Sequence, residues 1–254
     1  MTIDVPTWAA EAAVLPYPTV FVTVSGAHLY GFASVDSDLD LRASHLLPAD
    51  EVVGLRTGPE TITTDTWRDG VELDVVSHDL LKFARLLNSR NGYVLEQLLS
   101  PLVVATSPVH QNLIALAPEL ITRHHAHHYL GFAATQERLF AKTGELKPAL
   151  YTLRVLHTGL HLMRTGEVIA DLSVLSDLPY VPELIDRKRA AEHGSFPPAL
   201  SDTVAADVAR LRAELEAARD SSMLRALPEP AAVEELHALV VRARLAGSVG
   251  EAVV

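Results

Sequence analysis

Two aspartates stand one residue apart in the stretch SDLDLR, at positions 38 and 40, and a third, Asp74, follows in LDVV. Because side chains alternate across a strand, Asp38 and Asp40 share one face. Apolar residues flank each acid, which indicates strands that are otherwise buried. Clustered carboxylates there raise one another's pKa unless positive charge compensates them. Because Mg²⁺ prefers hard oxygen ligands, Asp38, Asp40 and Asp74 are the predicted metal ligands.

A turn of small residues, Ser25-Gly26, precedes the paired acids. Glycine lets the backbone approach a ligand closely, and the N–H groups at the start of a following helix favour an anion. A phosphate-holding turn beside magnesium-holding carboxylates predicts a nucleoside triphosphate site. Two metal ions can activate an attacking hydroxyl and neutralise the leaving group of an in-line phosphoryl displacement.

Three residues near the turn are further candidates for nucleotide contacts. His28 could donate a hydrogen bond to a phosphate. Tyr30 could stack on a base or merely pack the short helix, and both readings stay open. Arg42 lies on the strand face of the acids, so that an ion pair with them competes with a phosphate contact.

A second group of candidates lies on one helix face. Lys147, Tyr151 and Arg154 fall at i, i+4 and i+7, and such a positive stripe is what a triphosphate tail needs. Ordinary surface charge explains the stripe equally well. His124 and His128 have an i, i+4 spacing that a zinc site could use, although no third ligand can be named. Glu72 shares the predicted face of Asp74 and is an alternative ligand.

Composition limits the classes of protein to which the chain can belong. The 254 residues suffice for one large domain or two small ones, and the absence of cysteine excludes disulfides and thiolate sites. The formal charge of −11 argues against sequence-independent binding of long nucleic acids. No apolar stretch is long enough to cross a membrane, and no signal peptide opens the chain. We therefore expect a cytoplasmic protein without a membrane partner.

Alternating and apolar runs predict the strands that carry the acids. TVFVTVSG at 19–26 predicts a buried strand that leads into the turn, followed by the first turn of a short helix at HLYG. SDLDLRASHLLP predicts a second strand that Pro48 ends, and Val71–Val76 a third. Ser77 is a candidate N-cap for the next helix. A short helix is also expected in PTWAAEAAVLPYP, with Asp36 in a loop or turn.

From about residue 110 the pattern becomes helical. Gly144 and Gly166 stand where helices commonly end. Ser201 is a candidate cap for a helix with an apolar stripe, and a further helix is expected at about Ala231–Leu245. Residues 172–198 predict an irregular connector with one short helix. The expected fold is α+β (α/β), with a mixed sheet and flanking helices in a domain at 1–110 and a helical domain at 111–254.

The pattern SG-x-H-x-YG…SDLDLR, followed by ELDVVS and LLKFARLLNSRNGYVLEQLLSP, resembles the DNA polymerase β superfamily of nucleotidyltransferases. It is most similar to the family of predicted nucleotidyltransferases known as RNA-ligase-associated. The similarity runs from about Val20 to Pro101 and continues through HHYLGFAATQERLF and KPALYTLRVLHTGLHLMRTGE. By position, Gly26 matches the family's glycine, Asp38 and Asp40 its paired acids, and Asp74 its third acid. Ala27 stands where the family usually has serine.

The resemblance implies a magnesium-dependent nucleotidyltransferase, with two Mg²⁺ ions or Mn²⁺ in their place. In this hypothesis Asp38 and Asp40 hold both ions, Asp74 holds the one that activates the acceptor hydroxyl, and an NTP such as ATP loses pyrophosphate. The acceptor stays open between an RNA end in RNA repair, a small molecule and a protein hydroxyl. The alternative is a non-catalytic relative that binds a nucleotide or a partner. A histidine-based metallohydrolase is a third reading.

Overall fold

The computed structural model describes Ala9 and residues 15–34, 37–68, 70–190 and 195–250. Most of the helix predicted in PTWAAEAAVLPYP lies outside these residues, as does Asp36. The chain forms two compact units that are discontinuous in sequence. The first, here called the sheet unit, comprises Met1–Gly26, Asp38–Leu120 and Leu227–Val254. The second, the helical unit, comprises Ala27–Ser37 and Ile121–Ala226.

These units do not follow the predicted domain boundary at residue 110. Residues 111–120 and 227–254 belong to the sheet unit, and 27–37 belong to the helical unit. The helical unit therefore begins directly after Gly26, in the segment that carries His28 and Tyr30. The chain returns to the sheet unit at Asp38, the first of the predicted acids.

Five strands form one mixed sheet in the sheet unit. They are β1 (Thr19–Val24), β2 (Leu39–His45), β3 (Thr61–Arg68), β4 (Val71–Asp79) and β5 (Val103–Ala105). The strand order is β3-β4-β2-β1-β5. Strands β2 and β4 are parallel, and the other neighbours are antiparallel. The predicted mixed sheet with flanking helices is confirmed.

One face of this sheet is an apolar core because residues alternate in β2 and β4. Leu39 and Leu41 of β2 pair with Leu73 and Val75 of β4, and all four are at most 3% exposed. Val22 and Val24 of β1 belong to the same cluster. The residues between them face the opposite side. That alternation puts Asp40, Arg42 and Asp74 on the face away from this core.

Eleven α-helices accompany the strands in the described part of the chain. They are α1 (Gly26–Leu29), α2 (Asp50–Val53), α3 (Leu80–Leu87), α4 (Gly92–Leu98), α5 (Pro108–Leu120), α6 (Ala126–Thr143), α7 (Leu146–Thr165), α8 (Leu172–Leu175), α9 (Val181–Ala190), α10 (Ser201–Ser221) and α11 (Pro230–Ala246). Helices α6 to α10 belong to the helical unit, and α2 to α5 and α11 to the sheet unit. None of them combines the length and the apolar character that crossing a bilayer requires.

The long helices of the helical unit follow the predicted pattern. Helices α6 and α7 end at Gly144 and Gly166, whose φ angles are 66° and 79°, a conformation that favours glycine. The predicted apolar stripe of α10 is buried and consists of Val204, Val208, Leu211 and Leu215. Helix α11 confirms the prediction of a helix at about 231–245.

Two predicted caps are wrong. Strand β4 continues past Ser77 to Asp79, and the Asp79 carboxylate caps α3 by accepting a hydrogen bond from the Leu81 N–H at 3.0 Å. Ser77 instead has a fully buried side chain that bonds His45. Ser201 is the first residue of α10, and Leu200 occupies the cap position without a side-chain hydrogen bond.

The sequence patterns missed strands β3 and β5. Strand β3 is an edge strand whose residues 63–67 are exposed, so it lacks the apolar alternation of a half-buried strand. Strand β5 has three residues, too few to show a period. In the region predicted as an irregular connector, the described residues 172–190 and 195–198 hold two short α-helices, α8 and α9, instead of one.

Candidate active site on the sheet face

Asp40 and Asp74 lie side by side on neighbouring strands. They are register partners in the parallel pairing of β2 with β4, which places both side chains on the same face of the sheet. Their side chains are 17% and 32% exposed. The structure thus brings together two of the three predicted acids, each partly exposed on the face of the sheet away from the apolar core.

Arg42 binds both of these carboxylates. Its Nη2 donates to Asp40 Oδ1 at 2.6 Å and to Asp74 Oδ2 at 2.9 Å. Its Nη1 donates to the Leu41 and Asp74 carbonyl oxygens at 3.0 and 3.1 Å, and its Nε donates to Tyr93 Oη at 2.7 Å. A guanidinium has five N–H groups, and all five are used here. The ion pair expected for Arg42 is present, whereas its contact with a phosphate stays a prediction.

Tyr93 is a site residue that sequence reasoning missed. It lies in the first turn of α4, where the Asn91 side chain accepts hydrogen bonds from the Tyr93 and Val94 N–H groups at 3.1 and 3.3 Å. That cap fixes the start of the helix and hence the position of the tyrosine. The asparagine before GYVLEQL was a visible capping signal, but the partner of Tyr93 depends on how α4 packs on the sheet.

Gly26 is required where Asp40 approaches the backbone. Its φ is 60°, and a Cβ built on it would lie 1.7 Å from Asp40 Oδ2. The Ser25 N–H donates to the Asp40 carbonyl at 2.9 Å, which ties the turn to β2. The Ser25 side chain is fully buried, and the described residues offer its Oγ no hydrogen-bond partner. The Asp40 carboxylate thus makes a close approach to the backbone at this glycine, whereas the close approach of a ligand stays a prediction.

Asp40 is held in an environment that disfavours its charge. Burial raises the pKa of its carboxyl to about 6. The Arg42 guanidinium opposes this shift, while the negative charges of Asp38 and Asp74 add to it. One guanidinium pairs with two carboxylates, Asp40 and Asp74, and the negative charge of Asp38 also acts on Asp40, so the cluster has more carboxylates than cations.

The donor chemistry of this cluster fits a divalent cation. Asp38, Asp40 and Asp74 supply hard carboxylate oxygens, and their excess negative charge is what Mg²⁺ neutralises. The three do not form a ready-made cage, because no group of three or more potential ligands among the described residues has the arrangement of a metal site. The negative charge of Asp38 contributes to the raised pKa of Asp40. Asp40 and Asp74 both accept hydrogen bonds from the Arg42 side chain.

A fourth carboxylate lies in the same row. Asp65 on β3 is the register partner of Asp74, so that Asp65, Asp74 and Asp40 stand in line across three strands. Asp65 was missed because β3 was missed. Glu72 also faces this side, as predicted, and it is exposed.

The candidates in the helical unit form an internal cluster. Arg154 lies over the Tyr30 ring, with its guanidinium carbon 3.8 Å from the ring centroid, and Tyr151 meets Tyr30 edge-on at 5.5 Å. Tyr30 and Arg154 are 3% and 2% exposed. Packing therefore occupies both side chains. Lys147 and His28 are half-buried, and a nucleotide contact of any of these five residues stays a prediction.

The histidine pair does not form a zinc site in the described part of the chain. His124 stacks on His127 with ring centroids 5.7 Å apart, and His128 stacks on Phe132 at 6.5 Å. Burial lowers the pKa of His128 to about 4, and the positive charge of Arg154 adds to this shift. His128 is therefore neutral at physiological pH.

Comparisons with known proteins give the chain relatives. A family profile described as the RNA repair pathway DNA polymerase beta family matches residues 6–242. An uncharacterized protein of Methanocaldococcus jannaschii is 30% identical over 159 residues, which cover 61% of this chain and 64% of that protein. The matching part of the chain thus spans less than two thirds of the length of this relative.

The solved structures include one of a nucleotidyltransferase-like protein from Exiguobacterium sibiricum. It is 14% identical, with a TM-score of 0.32, and the match covers 94% of this chain and 73% of that chain. The family profile, by contrast, spans most of the sequence and confirms the resemblance drawn from SG-x-H-x-YG…SDLDLR. The chain belongs to the RNA repair pathway DNA polymerase beta family.

Proposed function

We propose that this protein is a nucleotidyltransferase that moves a nucleoside monophosphate from an NTP to a hydroxyl group at an RNA end. The observation that carries the proposal is the pair Asp40 and Asp74, in register on neighbouring strands and bound by one guanidinium. The family description, which names an RNA repair pathway, supports RNA as the acceptor.

In this proposal the protein contributes to catalysis mainly by holding its carboxylates in fixed positions. Arg42 holds one oxygen of Asp40 and one of Asp74, which fixes the distance between the two carboxylates. Gly26 leaves room for the other oxygen of Asp40. Preorganised groups contribute to catalysis because they need not reorganise when charge develops at the reacting phosphate.

Asp38, Asp40 and Asp74 are the residues that would hold Mg²⁺, or Mn²⁺ in its place. When bound, such an ion neutralises phosphate charge and lowers the pKa of a nearby hydroxyl. The raised pKa of Asp40, about 6, still leaves its carboxyl mostly ionised at neutral pH and available as a ligand.

The proposed reaction is an in-line displacement at the α-phosphate. The acceptor oxygen forms a bond to the α-phosphorus, and its proton passes to solvent. The bond between the α-phosphorus and the oxygen that bridges to the β-phosphate breaks, and pyrophosphate leaves with the electron pair. The RNA end gains one nucleotide.

The test is transfer of label from α-³²P-labelled NTPs. Purified protein is incubated with each of the four NTPs, Mg²⁺ and short RNAs with defined 3′ and 5′ ends, beside an Asp40→Asn control. We expect an RNA longer by one nucleotide with the wild type and none with the variant. A parallel incubation with small-molecule and protein fractions of a cell extract identifies another acceptor if RNA is not labelled.

Two outcomes would contradict the proposal. Equal rates of pyrophosphate release by the wild type and by Asp40→Asn would show that the Asp40 carboxylate takes no part in the reaction. NTP binding without any transfer to any fraction would instead indicate the non-catalytic relative, in agreement with Ala27 at the position where the family usually has serine.

A further inference from the structure

Trp67 stands on the same face of the sheet as the acids. It lies two residues after Asp65 in β3, so both side chains point to one side, and Asp65 is in register with Asp74 and Asp40. The register partner of Trp67 is Glu72 on β4. An indole therefore lies at the edge of the row of carboxylates that forms the candidate active site.

Trp67 is unusually exposed for its type. Its relative exposure is 68%, and it is the only aromatic among the large hydrophobic residues that are exposed in the described ranges. Trp normally buries most of its large ring, and a ring left open has a free face for another planar group. Strand β3 forms the edge of the sheet, so none of the strands in the described residues covers this ring from the side.

The distance from the acids suits a nucleotide chain. Neighbouring strands lie about 4.8 Å apart and successive residues of a strand about 3.4 Å, so the backbone of Trp67 is about 8 Å from that of Asp74 and about 12 Å from that of Asp40. These distances are comparable to the size of a nucleotide. A base of a strand whose terminal hydroxyl lies at Asp40 and Asp74 can thus reach the indole.

The charge around Trp67 selects the part of the nucleotide that binds there. Its neighbours on this face, Asp65 and Glu72, are exposed carboxylates that repel a phosphate. A nucleobase carries no charge and has a flat ring, and stacking on aromatic side chains is the usual way in which proteins bind unpaired bases. An uncharged planar ring is therefore the ligand that this edge favours.

We propose that Trp67 is a stacking platform for an unpaired nucleobase of the RNA acceptor, close to its reacting end. This inference rests on the proposed function, since it assigns a binding residue for the acceptor. The same ring chemistry could come from the base of the NTP, and the experiments below separate these two sources.

The first experiment uses Trp67 as its own reporter. The chain has two tryptophans, and Trp8→Phe leaves Trp67 as the single indole. In this variant we expect saturable fluorescence quenching by a single-stranded RNA oligonucleotide and none by NTP with Mg²⁺. Quenching by the NTP alone would overturn the acceptor assignment, and no quenching by either would overturn the platform.

The second experiment measures transfer in the otherwise unchanged chain. We expect Trp67→Ala to raise the KM for the RNA about tenfold, with a smaller change in kcat, since the stacking of a base on the indole would be lost; tenfold corresponds to about 1.4 kcal/mol. Trp67→Phe should recover most of this loss. Thr66→Ala is the matched control, because Thr66 is an exposed neighbour in β3 that faces the opposite side. Equal KM values for Trp67→Ala and Thr66→Ala would overturn the proposal.

Failure of this inference differs from failure of the proposed function. Asp40→Asn should lose transfer but keep the quenching of Trp67 by RNA. If RNA is extended normally and Trp67→Ala changes neither KM nor kcat, the nucleotidyltransferase proposal is supported and only the stacking role of Trp67 is contradicted. If RNA binds and quenches Trp67 fluorescence but no nucleotide is transferred, the proposed nucleotidyltransferase activity is contradicted instead.

Discussion

Arg42 and Arg244 are both largely buried arginines of the sheet unit that pair with aspartates. Arg244 serves one carboxylate, with Nη1 and Nη2 at 3.0 and 2.9 Å from the two oxygens of Asp79. Asp79 also accepts hydrogen bonds from the N–H groups of Leu47 and Leu81, each at 3.0 Å. The Asp79 carboxylate is thus fully satisfied by the protein.

The Arg42 network has the opposite balance, because one guanidinium serves two carboxylates and a third lies nearby. Burial acts to raise the pKa of Asp79, but the hydrogen bonds from Arg244 and from the backbone outweigh it and lower that pKa. At Asp40 burial prevails, and the pKa rises to about 6. The protein fully satisfies the Asp79 carboxylate, whereas the cluster around Arg42 has more carboxylates than cations, and we propose that it binds a divalent ion.

The sharpest test of this contrast is Asp40→Asn. We expect transfer to fall about 1000-fold or more, because an amide replaces a carboxylate that we propose as a metal ligand, while the stability of the protein stays equal or rises. Label transfer and urea denaturation measure the two effects. Asp50→Asn, which changes an exposed acid in α2, is the control. If Asp40→Asn lowers the free energy of unfolding enough to explain the loss of transfer by unfolding, Asp40 has a structural role instead of a catalytic one.

Arg244→Met should have a large effect on stability alone. It leaves Asp79 buried and unpaired, so we expect a loss of about 3–5 kcal/mol in the free energy of unfolding. Arg242→Met, on the same helix, removes an exposed pair with Glu235 and should cost at most about 1 kcal/mol. Urea denaturation compares them, and equal losses would contradict the buried pair.

The two aspartates should respond to pH in opposite directions. The folded pKa of Asp40, about 6, is above its ordinary value, so its contribution to stability is complete below about pH 4 and is lost as the pH rises through 6. We expect wild type to lose at most about 3 kcal/mol relative to Asp40→Asn over this range, in metal-free buffer. Asp79 contributes above its ordinary pKa and loses stability only in stronger acid. A flat difference between wild type and Asp40→Asn from pH 4 to 7 would contradict the raised pKa.

Gly26→Ala should disturb the site through Asp40. The new methyl group would overlap the carboxylate, so we expect a loss of about 2 kcal/mol in stability and at least about a tenfold loss of transfer. Gly70→Ala is matched in backbone strain, since its φ is 81° and nothing lies within 4 Å of a Cβ there. It should cost about 1 kcal/mol and leave transfer intact. Similar transfer rates for both variants would mean that Gly26 supplies only backbone freedom.

Tyr93→Phe should have the smallest effect. It removes the acceptor for Arg42 Nε, so we expect a loss of about 1–2 kcal/mol in stability and a modest loss of transfer as Arg42 gains freedom. Tyr17→Phe deletes a hydroxyl that donates to Glu51 elsewhere in the sheet unit and serves as the control. Equal transfer rates for Tyr93→Phe and Tyr17→Phe would show that the Tyr93 hydroxyl does not contribute to the function of the candidate site.

Much of the architecture around the acids was predictable because it depends on local periodicity. The alternation in LDLRASH placed Asp40 and Arg42 on one face of β2, and the glycines at 144 and 166 marked the ends of two helices. The edge strand β3 was not predictable, because its exposed threonines lack the apolar contrast that reveals a strand. Asp65 and Trp67 were missed with it.

Sequence by itself determined which residues share a face, because a strand's two-residue period and a helix's 3.6-residue period are properties of neighbours along the chain. Only the tertiary structure decided which faces meet. It brought Asp74 beside Asp40 across 34 positions and Arg244 to Asp79 across 165. Strand register and helix packing set such pairings, since both depend on the burial of the whole apolar core and not on the residues that pair.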